Sequence, residues 1–77
     1  FCKVQSRQLM VRPKHLTWEE CACYTLTLAT AYRMLFGWRP NVVRPGDNVL
    51  IWGASGGLGV FATQLCAVSG ANAIGVV

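Results

Sequence analysis

A glycine-rich turn between an apolar run and a helical pattern is the part of this sequence best suited to chemistry. The apolar run Val49–Trp52 ends at Gly53, and further glycines follow at Gly56, Gly57 and Gly59. A pyrophosphate carries dense negative charge, so a backbone that binds it must come close without Cβ atoms in the way. The helix after the turn must also point its free N–H groups at the phosphates. This order of residues predicts a dinucleotide phosphate site.

Two dinucleotide signatures fit these glycines. Ala54-x-Gly56-x-x-Gly59 is the Rossmann fingerprint with alanine in place of the first glycine, and that glycine only eases a tight turn. Gly53-x-x-x-Gly57-x-Gly59 has the spacing of short-chain dehydrogenases. Those proteins carry the loop near their N-terminus, whereas 52 residues precede it here. The first signature is therefore favoured.

A hydrolase is the alternative from another class. Residues 53–57 also spell Gly-x-Ser-x-Gly, the nucleophile elbow of α/β-hydrolases. Ser55 would then be the nucleophile, with the acid and the histidine beyond residue 77. Gly59 argues against this function, because an elbow does not need that glycine and a phosphate-binding helix does. A turn without a ligand is a further alternative, and a Walker loop is excluded because no lysine follows these glycines.

The elements that must hold the turn can be predicted from the spacing of apolar residues. Residues 48–52 are apolar on both faces, as in strands of a parallel sheet that helices cover on both sides. Residues 57–69 have one apolar helical face and end at Gly70, and residues 73–77 form a second apolar strand. Residues 48–77 therefore predict one right-handed βαβ unit, the first part of a Rossmann-type, doubly wound parallel α/β sheet.

A longer helical segment is predicted upstream of this unit. Thr17 with Glu20 three residues later forms a capping box, which marks a helix N-terminus. The helical pattern continues to about Phe36, and Tyr24-Thr25 could divide it into two helices. Residues 1–9 alternate weakly, which predicts an extended strand before the helix.

The composition is typical of a piece of a longer protein. Hydrophobic residues make up 53% of the 77 residues and charged residues only 13%, against a usual charged share of about 25%. The chain begins with Phe1 rather than methionine. We therefore expect an internal fragment. The net charge of +4 comes from scattered basic residues, so no nucleic-acid partner is predicted.

Membrane, metal and disulfide chemistry are not predicted. The longest apolar stretch, Cys21–Phe36, is shorter than the ~20 residues of a membrane span and contains Arg33. His15 is the only histidine and has no partner at metal-ligand spacing. The cysteines form no CxxC pair, and we interpret them as buried free thiols in a reducing cytoplasm. They are Cys2, Cys21, Cys23 and Cys66.

Several segments carry a resemblance to a known family. Residues 45–59, Pro-Gly-Asp-Asn-Val-Leu-Ile-Trp-Gly-Ala-Ser-Gly-Gly-Leu-Gly, look like the cofactor loop of medium-chain dehydrogenases/reductases. Residues 13–20, Pro-Lys-His-Leu-Thr-Trp-Glu-Glu, together with residues 8–10, 30–35 and 70–77, resemble the crotonyl-CoA carboxylase/reductases within that superfamily. The resemblance covers nearly the whole chain.

The resemblance implies an NADPH-dependent enzyme that reduces crotonyl-CoA and carboxylates it to ethylmalonyl-CoA. Acyl-CoA and carbon dioxide would be partners of the full-length protein, a cytoplasmic homo-oligomer. Residues 1–25 would be the end of the catalytic domain with a connecting helix, and residues 26–77 the first part of the dinucleotide-binding domain. A non-carboxylating enoyl or quinone reductase of the same superfamily is the main alternative. A nucleotide-binding module without catalysis is another.

The resemblance also assigns cofactor-binding residues. Those that would wrap the pyrophosphate of NADP(H) are Ala54, Ser55, Gly56, Gly57, Leu58 and Gly59. Thr30 would contact the nicotinamide end, although its hydroxyl could instead bond back within its own helix. Zinc-dependent alcohol dehydrogenases have a cysteine ligand four residues before this threonine, and Leu26 stands there, so the zinc-free branch is favoured. No catalytic residue can be assigned, and the residue that separates NAD from NADP lies beyond Val77.

Overall fold

A parallel βαβ unit surrounds the glycine-rich turn. The computed structural model describes all 77 residues, and it places strand β1 at Asn48–Trp52, helix α2 at Gly57–Ser69 and strand β2 at Asn72–Val76. The two strands pair in parallel along their whole length. Gly70 ends α2 in the left-handed conformation, with a φ of 86°. The predicted α/β class and its βαβ unit are confirmed.

The core of this unit lies between α2 and one face of the sheet. Ile51 of β1, Cys66 of α2 and Ala71 before β2 are buried together. Burial raises the pKa of the Cys66 thiol, because the thiolate would lose its hydration. Leu50 and Ile74 point to the opposite face and are exposed. Within these residues helices therefore cover one face of the sheet, not both as the apolar strand had suggested.

The cysteines only partly occupy the buried positions that we expected. All four are free thiols, and Cys66 is buried. Cys21 is half-buried, whereas Cys2 and Cys23 are exposed. Cys2 precedes the first element and Cys23 lies on an exposed side of the long helix, so neither reaches the core. The expectation of buried thiols is wrong for these two residues.

A single helix, α1, spans Trp18–Phe36 and begins with the predicted capping box. The Glu20 amide donates to Thr17 Oγ1 at 3.2 Å, and the Thr17 amide donates to Glu20 Oε1 at 2.9 Å. The bond from the Thr17 amide stabilises the carboxylate and lowers the pKa of Glu20. The helix predicted to continue to about Phe36 is confirmed, and the alternative of a division at residues 24 and 25 is not found. The Thr25 hydroxyl donates to the Cys21 carbonyl at 3.2 Å, which satisfies this polar group inside a continuous helix.

A short 3-10 helix, Ser6–Gln8, occupies the segment where we predicted an extended strand. The Gln8 amide donates to the Gln5 carbonyl at 2.9 Å and the Leu9 amide to the Ser6 carbonyl at 3.2 Å. No other strand pairs with this segment, because the sheet contains only β1 and β2. The backbone groups therefore bond locally, and the strand prediction is wrong.

Helix α1 packs against α2 close to the glycine-rich turn. A Cβ built on Gly57 would lie 3.7 Å from Thr27 Cγ2, an ordinary van der Waals contact. The domain boundary that we expect after residue 25 falls inside α1, so this one helix runs through both proposed parts. Neither α1 nor α2 combines the length and the apolar character needed to cross a membrane.

Candidate dinucleotide-binding site

The turn after β1 is anchored to the end of β2 by main-chain hydrogen bonds. The amides of Gly53 and Ala54 both donate to the Val76 carbonyl, at 2.9 and 3.0 Å. Gly53 has a φ of 70°, the left-handed conformation that favours glycine. The Gly56 amide then donates back to the Gly53 carbonyl at 2.9 Å. The chain therefore passes from β1 into α2 through a turn whose position β2 determines.

Ala54 occupies the first glycine position of the fingerprint without backbone strain. No residue other than glycine has a positive φ, so the left-handed residue of the turn is Gly53 and Ala54 keeps an ordinary conformation. The Ala54 side chain faces Gly75 of β2, where a Cβ would lie only 2.8 Å from the Ala54 Cβ. The departure from glycine at position 54 is thus compatible with the turn.

Gly59 is the glycine that close packing requires. It lies buried in the first turn of α2. A Cβ on Gly59 would overlap the Gly53 carbonyl oxygen and lie 2.7 Å from the Ala54 Cα. In the Rossmann fingerprint the third glycine permits close packing between helix and strand, and Gly59 meets that need.

The N-terminus of α2 is free to receive an anion. Gly56 is its N-cap, no side chain caps the helix, and its first turn contains no acidic residue. The amides of Gly57, Leu58 and Gly59 precede the first amide of the helix ladder, in which Val60 donates to the Gly56 carbonyl at 3.0 Å. Gly56 and Gly57 are exposed and present no side chain to an approaching ligand. A phosphate would meet N–H donors and the positive end of the helix dipole.

Ser55 is exposed in the same turn but lacks the backbone of a nucleophile elbow. An elbow holds its serine on a sharp, strained connection between strand and helix. Ser55 has no positive φ, and the left-handed residue lies two positions earlier at Gly53. The geometry therefore favours a hydroxyl that bonds a phosphate over one that attacks a substrate.

Thr30 lies on α1, one helical turn beyond Thr27. Its side chain is exposed, and its hydroxyl donates to the Leu26 carbonyl at 2.8 Å. This bond is the alternative that we considered for Thr30, in which its hydroxyl bonds back within its own helix. A hydroxyl that donates in this way can still accept a hydrogen bond from a ligand. No group of three His, Cys, Asp or Glu side chains is arranged to hold a metal ion.

An apolar groove of about 260 Å³ lies between α1 and the βαβ unit and reaches the turn. The α1 side is formed by Ala31, Met34 and Leu35. Trp52, Leu58 and Gly59 line it beside the turn. The groove extends from the N-terminus of α2, which follows the glycine-rich turn, to α1, which carries Thr30.

Two residues of β2 belong to this site although the sequence patterns did not single them out. Val76 anchors the turn through its carbonyl, and Gly75 leaves room for the Ala54 side chain. A glycine inside an apolar strand often marks a close approach by another part of the chain. Gly75 could therefore have been found from that signal. The Val76 carbonyl could not, because every residue has one.

Comparison with known proteins identifies close relatives, although no family model matches the chain. The chain is 71% identical over 77 residues to the crotonyl-CoA carboxylase/reductase of Cereibacter sphaeroides. That alignment covers 100% of this chain and 18% of the relative. The chain thus spans less than one fifth of the length of this relative, in agreement with the expected fragment.

Solved structures agree with this match. A structure of a crotonyl-CoA carboxylase/reductase superposes with a TM-score of 0.96 and 83% identity, over 99% of this chain and 18% of that one. The 2-octenoyl-CoA carboxylase reductase CinF, in complex with NADP and 2-octenoyl-CoA, gives a TM-score of 0.88 at 50% identity, over 96% of this chain and 17% of that one. In sequence and in fold, the whole chain is thus similar to one segment of the crotonyl-CoA carboxylase/reductases, and the predicted resemblance is confirmed.

Proposed function

We propose that this chain provides the pyrophosphate site of an NADPH-dependent reductase that converts crotonyl-CoA to ethylmalonyl-CoA. The observation that carries the proposal is the uncapped N-terminus of α2, where the Gly57, Leu58 and Gly59 amides follow an exposed glycine turn. Similarity to the Cereibacter sphaeroides protein supports the choice of reaction. The NADP present in the CinF structure supports the choice of cofactor.

The residues of the turn fit a dinucleotide in distinct ways. The Gly57, Leu58 and Gly59 amides would donate to phosphate oxygens, and an anion at a helix N-terminus gains about 0.3–1 kcal/mol from the helix dipole. Gly56 and Ala54 would allow the backbone to approach the pyrophosphate. The Ser55 hydroxyl would add a further donor.

We propose that the nicotinamide end of NADPH binds next to α1. Thr30 would accept a hydrogen bond from it, since its hydroxyl hydrogen is already given to the Leu26 carbonyl. When bound, NADPH supplies the hydride that reduces the enoyl thioester. The role of this chain is to bind and orient the dinucleotide through its own backbone and the Thr30 side chain.

The remaining parts of the proposal concern the full-length protein. Acyl-CoA and carbon dioxide would bind outside these 77 residues, in a homo-oligomeric cytoplasmic enzyme. Residues 1–25 would close the catalytic domain and residues 26–77 would begin the dinucleotide-binding domain. Helix α1 would connect them as one rigid element, because it crosses the boundary without a break.

Turnover of crotonyl-CoA with and without bicarbonate tests the reaction. We expect the full-length protein that carries this chain to oxidise NADPH and to form ethylmalonyl-CoA when bicarbonate is present. Equal rates under both conditions, with butyryl-CoA as the only product, would instead identify a non-carboxylating enoyl reductase. NADPH binding without turnover of any enoyl thioester would identify a binding module. Failure to bind NADPH would overturn the proposal altogether.

A further inference from the structure

The contact between Ala54 and Gly75 joins the cofactor turn to β2 at the level of side chains. A Cβ on Gly75 would lie 2.8 Å from the Ala54 Cβ. Carbon atoms pack best at about 3.5–4.0 Å, so a methyl group at position 75 would force the two segments about 1 Å apart. The missing side chain at Gly75 of β2 therefore leaves the space that the Ala54 methyl group of the turn occupies.

The same two segments are joined by the hydrogen bonds next to this contact. The Val76 carbonyl, one residue beyond Gly75, accepts from the amides of Gly53 and Ala54 at 2.9 and 3.0 Å. A separation of about 1 Å would lengthen these bonds beyond the usual 2.7–3.2 Å range. Since the turn leads directly into α2, its displacement would move the Gly57, Leu58 and Gly59 amides as well.

We propose that Gly75 is a positioning residue for the cofactor, and that it acts through Ala54. In this chain Ala54 replaces the first glycine of the fingerprint, and the missing Cβ at position 75 provides the space that its methyl group occupies. The inference rests on the proposed function, because it takes the turn to be the pyrophosphate site. Gly75 itself need not touch the cofactor.

A rescue experiment distinguishes this role from a general need for glycine in β2. Gly75→Ala should weaken NADPH binding, and Ala54→Gly in the same protein should restore it, because it removes the methyl group that the new side chain meets. Gly59→Ala is the matched control. Its Cβ would meet the Gly53 carbonyl oxygen and the Ala54 Cα, which are main-chain atoms that Ala54→Gly does not remove.

The measurements use the full-length protein and compare the KM for NADPH with the KM for crotonyl-CoA and with kcat. For Gly75→Ala we expect the KM for NADPH to rise by about tenfold while the KM for crotonyl-CoA stays unchanged. For Gly75→Ala/Ala54→Gly we expect the KM for NADPH to return to within about twofold of the wild type. Gly59→Ala/Ala54→Gly should show no such recovery.

Each outcome of these measurements either supports or overturns the positioning role of Gly75. An unchanged KM for NADPH in Gly75→Ala, or a double variant that does not recover, overturns the inference. If Gly75→Ala does not fold, a double variant that folds and binds NADPH supports the pairing, and a double variant that also fails overturns it. Wild-type protein that does not bind NADPH would overturn the proposed function itself, which separates the two failures.

Discussion

Gly59 lies against the carbonyl group of Gly53 with no room for a methyl group between them. A Cβ on Gly59 would overlap that oxygen and lie 2.7 Å from the Ala54 Cα. This contact sets the first turn of α2 directly on the end of β1. The amides that we propose for the pyrophosphate are thus held in place by packing before any ligand arrives, which lowers the ordering cost of binding.

Gly59→Ala should destabilise the protein and weaken NADPH binding together. Forcing a methyl group into a packed site costs about 1–3 kcal/mol of unfolding free energy. Gly57→Ala is the matched control for stability, because its Cβ would lie at an ordinary 3.7 Å from Thr27 Cγ2. Urea unfolding of the full-length protein measures the stability of both variants, and titration with NADPH measures the binding. Equal stability of the two variants would contradict the packing role of Gly59.

Gly56→Val should place a branched side chain where the pyrophosphate is proposed to lie. We expect the Kd for NADPH to rise by more than about tenfold, which corresponds to about 1.4 kcal/mol. Gly56→Ala is a useful intermediate, since its Cβ would lie 3.2 Å from the Gly53 carbonyl oxygen and require only a small shift. Calorimetric titration with NADPH gives the Kd of both variants. Unchanged affinity in Gly56→Val would count against a dinucleotide at this turn.

Ser55→Ala separates a reductase from a hydrolase. Loss of one hydrogen bond to a phosphate should reduce NADPH affinity by about 0.5–1.5 kcal/mol and leave turnover of crotonyl-CoA measurable. A hydrolase would lose all activity, because Ser55 would be its nucleophile. The assay follows NADPH oxidation in parallel with thioester hydrolysis. Hydrolysis by the wild type that disappears in Ser55→Ala would establish the hydrolase alternative.

The capping box should make the stability of α1 depend on pH. The pKa of Glu20 is lowered in the folded protein by the hydrogen bond from the Thr17 amide. The stabilisation is therefore present above the unfolded carboxyl pKa of about 4.3 and is lost as the pH falls through the lower folded value. Glu20→Gln keeps the geometry of the box without the charge.

Unfolding in urea at about pH 7 and about pH 3 tests this prediction. The wild type should be more stable than Glu20→Gln at neutral pH, and the difference should shrink in acid. Thr17→Ala should lose about 1 kcal/mol, because it removes the acceptor of the Glu20 amide. A difference between wild type and Glu20→Gln that does not change with pH would contradict the role of the Glu20 charge.

Local sequence predicts most of the elements because their signals are local. The capping box at Thr17, the apolar strand at residues 48–52 and the left-handed Gly70 each depend on a few neighbouring residues, and each is found in the structure. The strand predicted at residues 1–9 fails for the opposite reason. A strand needs a partner, weak alternation does not provide one, and the segment bonds to itself as a 3-10 helix.

By itself, the sequence determined the glycine turn, its strand and helix, and a resemblance that implies NADP(H) as the cofactor. Only the tertiary structure decided what holds the turn in place. The Val76 carbonyl and the space at Gly75 come from a strand far along the chain, and a main-chain acceptor has no sequence signature. The sequence also left Ala54 as a departure from the fingerprint. The structure explains it, because the left-handed residue is Gly53 and the Ala54 methyl group fits where Gly75 has no side chain.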